Sequence, residues 1–117
     1  MSLVINDMIE NSKGRKKEIL LELKKLNLDA WVFMRLNWRH YKEKYNDLQQ
    51  TDIWKDARKL LVEYFTYDNI FTCGKCGKVM DYRYCSLHHK LYVVEECFTP
   101  EHVMFVCSGC HEKIHNK

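Results

Sequence analysis

The stretch CSGCHEKIH, residues 107–115, crowds two cysteines and two histidines into nine positions. Cys107 and Cys110 have the CxxC spacing of one half of a zinc clamp, while His111 and His115 stand one helical turn apart. One ion cannot comfortably take all four, so the chain must supply partners elsewhere. It does so at CGKC, residues 73–76, and LHHK, residues 87–90. Two CxxC turns brought together from separate parts of a chain are the usual soft donor set of a tetrahedral zinc. Cys73, Cys76, Cys107 and Cys110 are therefore the predicted ligands of one structural zinc ion, with Gly74, Gly77 and Gly109 letting the backbone turn around it.

The rest of the composition fits a small domain. With 117 residues, 46% of them apolar and 13% aromatic, the chain suits one compact unit with a modest core. No apolar run approaches the roughly 20 residues that cross a membrane, and MSLVINDMIENSKGRKK has its charges after its apolar residues, the reverse of a signal peptide. A cytoplasmic protein with no membrane partner is the expectation. In a reducing compartment the cysteines point to metal rather than to disulfides, and the two outside the CxxC pairs, Cys85 and Cys97, read as buried thiols.

The net charge of +3 is unevenly spread: residues 13–44 hold ten Lys or Arg against four acids, whereas residues 51–117 hold nine of each. A basic N-terminal segment, with Arg15, Lys16 and Lys17 at its start, suits a polyanion, because lysine and arginine displace counterions from phosphates. An ordinary solvated helix face carries the same composition.

Periodicity predicts three helices in the first two-thirds. Ser12 is a candidate cap for a helix over about 13–27, with Ile19, Leu20, Leu23 and Leu26 on one face. Asp29 is a candidate cap for a second, in which Trp31, Met34, Trp38, Tyr41 and Tyr45 recur. Thr51 or Asp52 starts a third, striped by Ile53, Trp54, Ala57, Leu60, Leu61, Tyr64 and Phe65. These aromatic stripes coincide with the apolar period and read as core. Beyond Asp68 the texture changes: YRYCSLHH and HVMFVC read as strands, and SGCHEKIHNK as a short final helix.

Five histidines, His88, His89, His102, His111 and His115, fall within 28 residues, whereas His40 stands alone and reads as a surface or core residue. Adjacent strand residues face opposite ways, so His88 and His89 cannot both bind one ion on a regular strand. The order CxxC, His-His at a strand end, a loop, then CxxCH with a further histidine one turn on resembles the HNH endonucleases. WKDARKLLVEYFTYDNIFTCGKCGK is similar to the helix that leads into the first CxxC of zinc-containing members. The resemblance spans about residues 54–117 and leaves the N-terminal helices uncovered.

The resemblance implies an α+β fold: N-terminal helices followed by a ββα-metal motif stapled by the four-cysteine zinc site, divided as a basic helical extension over 1–50 and a nuclease domain over 51–117. It implies a metal-dependent DNA endonuclease that hydrolyses phosphodiester bonds to a 5′-phosphate and a 3′-hydroxyl, by nicking or by cutting both strands. His89 would be the general base. His88, His111 and His115 would hold a catalytic divalent ion, Mg²⁺, Mn²⁺, Ni²⁺ or Zn²⁺. His102 takes the place where the family usually has the asparagine that braces the loop. The proline common after the histidine pair is missing from HHKLYVV. Arg83, an even number of residues before His89, would share its strand face and hold the scissile phosphate, or be a solvated strand arginine. DNA is the implied partner, and a homodimer or a larger phage, mobile-element or restriction protein would supply any strong sequence specificity. The rival from another class is a non-catalytic zinc-binding adaptor for nucleic acid, which has no need of the histidine pair plus HxxxH. A dithiol redox protein fits less well, because neither CxxC is followed by a thioredoxin-like helix or a βαβ pattern.

Overall fold

The computed structural model describes residues 3–35, 48–67, 70–90 and 94–115. Its order is α1 (Val4–Glu10), α2 (Gly14–Arg35), α3 (Asp52–Thr66), β1 (Cys85–His89), β2 (Val103–Cys107) and α4 (Ser108–His115). The protein is therefore α+β, with four helices and a two-stranded antiparallel sheet among the described residues. No helix among them is long and apolar enough to cross a membrane.

Helix α3 forms where the sequence places it. The Thr51 hydroxyl accepts the Trp54 amide at 3.4 Å, and the stripe buries Ala57 and Leu61 while half-burying the larger side chains. The helix before it corrects the sequence reading twice. Ser12 does not cap α2: its hydroxyl donates to the Met8 carbonyl at 2.7 Å, closing α1, a helix the periodicity had not revealed. Nor does Asp29 start a new helix, because α2 runs unbroken through it to Arg35. Nothing between Gly14 and Arg35 breaks the backbone, and Asn27 spends its side chain on a distant loop rather than on its own turn. Trp38, Tyr41, Tyr45 and His40 lie outside the described residues.

One core joins α1, α2 and α3 to the sheet and the loop between its strands. Ile5, Ile19, Leu20 and Leu23 are fully buried with Leu61, Phe98 and Val103. Burying a side chain of this size contributes about 1.5–3 kcal/mol. Phe105 of β2 packs edge-on to Phe65 and Phe71, and Trp54 packs edge-on to Phe98. In the sheet, Cys85 pairs with Cys107, His88 with Met104 and His89 with Val103. The chain then passes from β2 straight into α4, so the second cysteine pair straddles the strand–helix junction.

The loop over 94–102 is held by polar contacts from every side. Asn27 of α2 accepts the Phe98 amide at 2.7 Å and donates to the Thr99 hydroxyl at 3.2 Å, all buried. The Glu96 carboxylate accepts the Ile5 amide at 3.0 Å, doing for α1 what Leu3 at its N-cap cannot. No buried side-chain nitrogen or oxygen among the described residues lacks a partner.

Candidate metal centre and histidine crevice

The first CxxC sits in a tight hairpin, residues 72–79, closed by Cys73 N–H to the Lys78 carbonyl (2.8 Å) and Gly77 N–H to the Cys73 carbonyl (2.9 Å). Gly77 has φ +77°, which a side chain would strain. Gly74 donates its amide to the Phe105 carbonyl at 2.8 Å, and a Cβ there would stand 3.0 Å from Met104. Gly77 thus turns the hairpin and Gly74 docks it on β2. Gly109, expected to serve the same purpose, lies in the first turn of α4 with nothing near where a Cβ would stand.

Docking brings the four sulfurs of Cys73, Cys76, Cys107 and Cys110 within 4.8 Å of one another. Around a tetrahedral zinc, with Zn–S near 2.3 Å, neighbouring sulfurs stand about 3.8 Å apart. Cys76 and Cys107 Sγ are already 3.9 Å apart. Cys73 Sγ accepts the backbone amides of Lys75, Cys76 and Cys107 at 3.4, 3.5 and 3.4 Å. Burial opposes its ionisation, but these amides outweigh burial and hold the thiol down to about 6. Cys107 is lowered too, chiefly by the Cys110 amide and thiol, whereas the Cys107 sulfur beside Cys110 drives that thiol upward. Four crowded sulfurs thus resist ionising together until a cation joins them, and the donor set fits a structural metal ion such as zinc. The leftover thiols are placed differently. Cys97 is buried and pushed up to about 12, while Cys85 is half-buried, with its Sγ 3.2 Å from the Tyr82 carbonyl and 3.4 Å from Arg58 Nη2.

The histidine pair divides across the sheet. His88, opposite Met104, lines a crevice of about 300 Å³ with Lys75, Met104, Cys110, Lys113 and Ile114. His89 faces the other way, into the core, with 3% of its surface exposed and its ring 6.1 Å from that of Trp54. Its Nε2–H donates to the Cys97 carbonyl at 2.7 Å, which leaves the lone pair of the neutral ring on Nδ1. Burial lowers its pKa; the Cys97 carbonyl opposes that, and His88 adds to it.

The remaining predicted residues are less closely gathered. His102 Nε2 meets Glu96 Oε2 at 3.0 Å, and its own carbonyl accepts the Lys90 amide at 2.8 Å, so it ties the loop to the end of β1. His111 is half-buried in the first half of α4. The side chain of His115 lies outside those described, and among the described residues the four cysteines alone form a group close enough to hold one ion.

Arg83 corrects the sequence reading. β1 begins at Cys85, so Arg83 lies in a 3₁₀ turn over Tyr82–Tyr84, and the even spacing to His89 carries no common face. Its guanidinium grips Asp81 at 2.7–3.2 Å and holds that carboxyl down to about 2. Arg15 is likewise engaged, with Nε 2.6 Å and Nη2 2.9 Å from the Glu63 carboxylate and Nη1 3.5 Å from Glu18. Lys16 lies over the Tyr64 ring, 5.0 Å from its centre, and Lys17 is exposed. Sequence reasoning passed over Asn27 and Glu96, whose partners lie about 70 and 90 residues away. It also passed over Lys75, whose one available signal was a cation inside the CGKC turn.

Comparison of the chain with protein-family models, with curated proteins and with solved structures finds no match.

Proposed function

We propose that the protein is a metal-dependent DNA endonuclease of the HNH type, its ββα-metal unit formed by β1, β2 and α4. The observation that carries this reading is the division of labour in the histidine pair. His88 opens on a crevice walled by α4, while His89 is fixed in one tautomer by a backbone carbonyl. A ligand needs the first situation and a general base the second.

In this reading His89 Nδ1 takes the proton of the attacking water, and the Cys97 carbonyl keeps the imidazole oriented and stabilises the imidazolium that results. Glu96, through His102, holds the loop that carries that carbonyl. His88, His111 and His115 are the residues that would hold a divalent ion, which when bound supplies stabilisation of the negative charge that develops on the phosphate. A zinc held by the four cysteines would tie the CGKC hairpin to the junction of β2 and α4 and take no part in the chemistry.

Variants separate base from ligand. His89→Ala should retain zinc and DNA binding while cleavage falls by about 10²–10⁴-fold, with no recovery at high metal concentration. His111→Ala should lose cleavage and regain part of it as the divalent ion is raised. Equal cleavage by His89→Ala and the parent removes His89 from the base role.

A zinc-binding nucleic-acid adaptor without catalysis is the second reading, and the burial of His89 beneath Trp54 favours it, because a base must meet water and substrate. Tight DNA binding by a parent protein that never cleaves would establish the adaptor.

A further inference from the structure

We propose that the crevice between the CGKC hairpin, the sheet and α4 is the site that grips a DNA phosphodiester, through Lys75 and Lys113. The proposal rests on the nuclease reading only for what happens to that phosphate, because binding stands on the crevice itself. Lys75 comes from the hairpin and Lys113 from α4, and both are exposed. His88 is on the crevice wall, the other lining residues are Met104, Cys110 and Ile114, and no carboxylate of the described residues lines it.

Several other basic positions do not offer this. Arg15 is held by Glu63 and Glu18, and Arg83 by Asp81. Arg58 Nη2 is taken by the Tyr82 and Cys85 carbonyls at 2.8 and 3.1 Å. The groove between α2 and α3 mixes Arg15, Lys25 and Lys59 with Glu22, Asp29, Asp56 and Glu63. A polyanion gains little there, since the four carboxylates outnumber the three cations. Lys75 and Lys113 make no ion pair among the described residues. Two lysines on separate elements reach one phosphate from two sides, and the Lys75 backbone N–H is anchored by a hydrogen bond to Cys73 Sγ at 3.4 Å. The phosphate then lies against His88, where the proposed chemistry needs it.

The test is fluorescence anisotropy of a short labelled DNA duplex with the zinc-loaded full chain, over a series of salt concentrations and without added divalent ion. Lys75→Ala/Lys113→Ala should weaken binding by about tenfold at low salt and lower the slope of log K against log salt by about one, since the single phosphate the two lysines share contributes about 0.9. Lys75→Arg/Lys113→Arg should restore both. Arg15→Ala, which removes a cation already committed to Glu63, should change neither. An unchanged slope in a double alanine variant that keeps its zinc overturns the proposal. So does loss of zinc from that variant with recovery of the parent slope on reloading, which assigns the lysines to balancing thiolate charge. Should the double variant not fold, Lys113→Gln alone on the exposed side of α4 gives the answer: weaker binding with a lower slope supports the site, and no change in either refutes it. If the slope falls as expected but the parent cleaves nothing, the site stands and the nuclease reading fails. If the parent cleaves and the slope does not move, the reverse holds.

Discussion

Removing the Asn27 side chain should cost far more than its place on a surface helix suggests. Asn27 is 2% exposed, and its carboxamide is the partner of two groups that have no water to turn to: the Phe98 amide at 2.7 Å and the Thr99 hydroxyl at 3.2 Å. A buried donor left without an acceptor costs about 1–3 kcal/mol, and the Thr99 hydroxyl adds part of another such term, so Asn27→Ala should lose about 2–4 kcal/mol. Asn27→Leu, of similar volume, fills the cavity and should still lose about 1–3 kcal/mol, which isolates the hydrogen bonds from the packing. With a urea dependence of about 2 kcal/mol per molar, the alanine variant's midpoint should fall by about 1–2 M. The effect should reach the site as well. Phe98 follows Cys97, whose carbonyl orients His89, so cleavage should fall even at temperatures where the variant is fully folded. A leucine variant within about 0.5 kcal/mol of the parent would refute the reasoning, because it would mean that the 96–99 loop holds itself.

Elemental analysis of protein purified without added metal should find about one zinc per chain, and Cys73→Ser should lose both the zinc and the order of the C-terminal half, because the site's binding energy is also folding energy; native circular dichroism in a strong chelator would count against it. Gly77→Ala, forced to φ +77°, should be destabilised by about 1–2 kcal/mol and release zinc faster to a chromogenic chelator. Zinc release at the parent rate would show that the hairpin turn does not set the metal geometry.

What the sequence disclosed and what it hid follow from the range of the interactions. The α3 stripe with its Thr51 cap, the two strands and the CxxC pairs are local patterns, each written within a few neighbouring residues, and the structure reproduces them. Polar residues in the first half misled for one shared reason. Ser12 and Asp29 have the chemistry of helix caps, but a cap is decided by what else the side chain and backbone can bond. The Met8 carbonyl took Ser12, and a helix anchored through Asn27 to Thr99 ran straight past Asp29. Arg83 failed on parity, because counting by twos requires the strand to extend that far, and the turn over Tyr82–Tyr84 ends it. The division between His88 and His89 was legible from strand alternation alone. Which of them faces α4, and that Glu96 reaches both His102 and the first turn of α1, depends on contacts between segments far apart in the chain.

The most direct measurement is incubation of supercoiled plasmid with the zinc-loaded parent protein in Mg²⁺, Mn²⁺, Ni²⁺ or added Zn²⁺, followed by gel separation and analysis of the new ends. A metal-dependent nuclease should convert the plasmid to open-circular or linear DNA in at least one of these ions, with 5′-phosphate and 3′-hydroxyl ends, and leave it intact when divalent ions beyond the structural zinc are withheld. Plasmid that stays supercoiled in all four ions, while the same preparation binds it, would contradict nuclease activity.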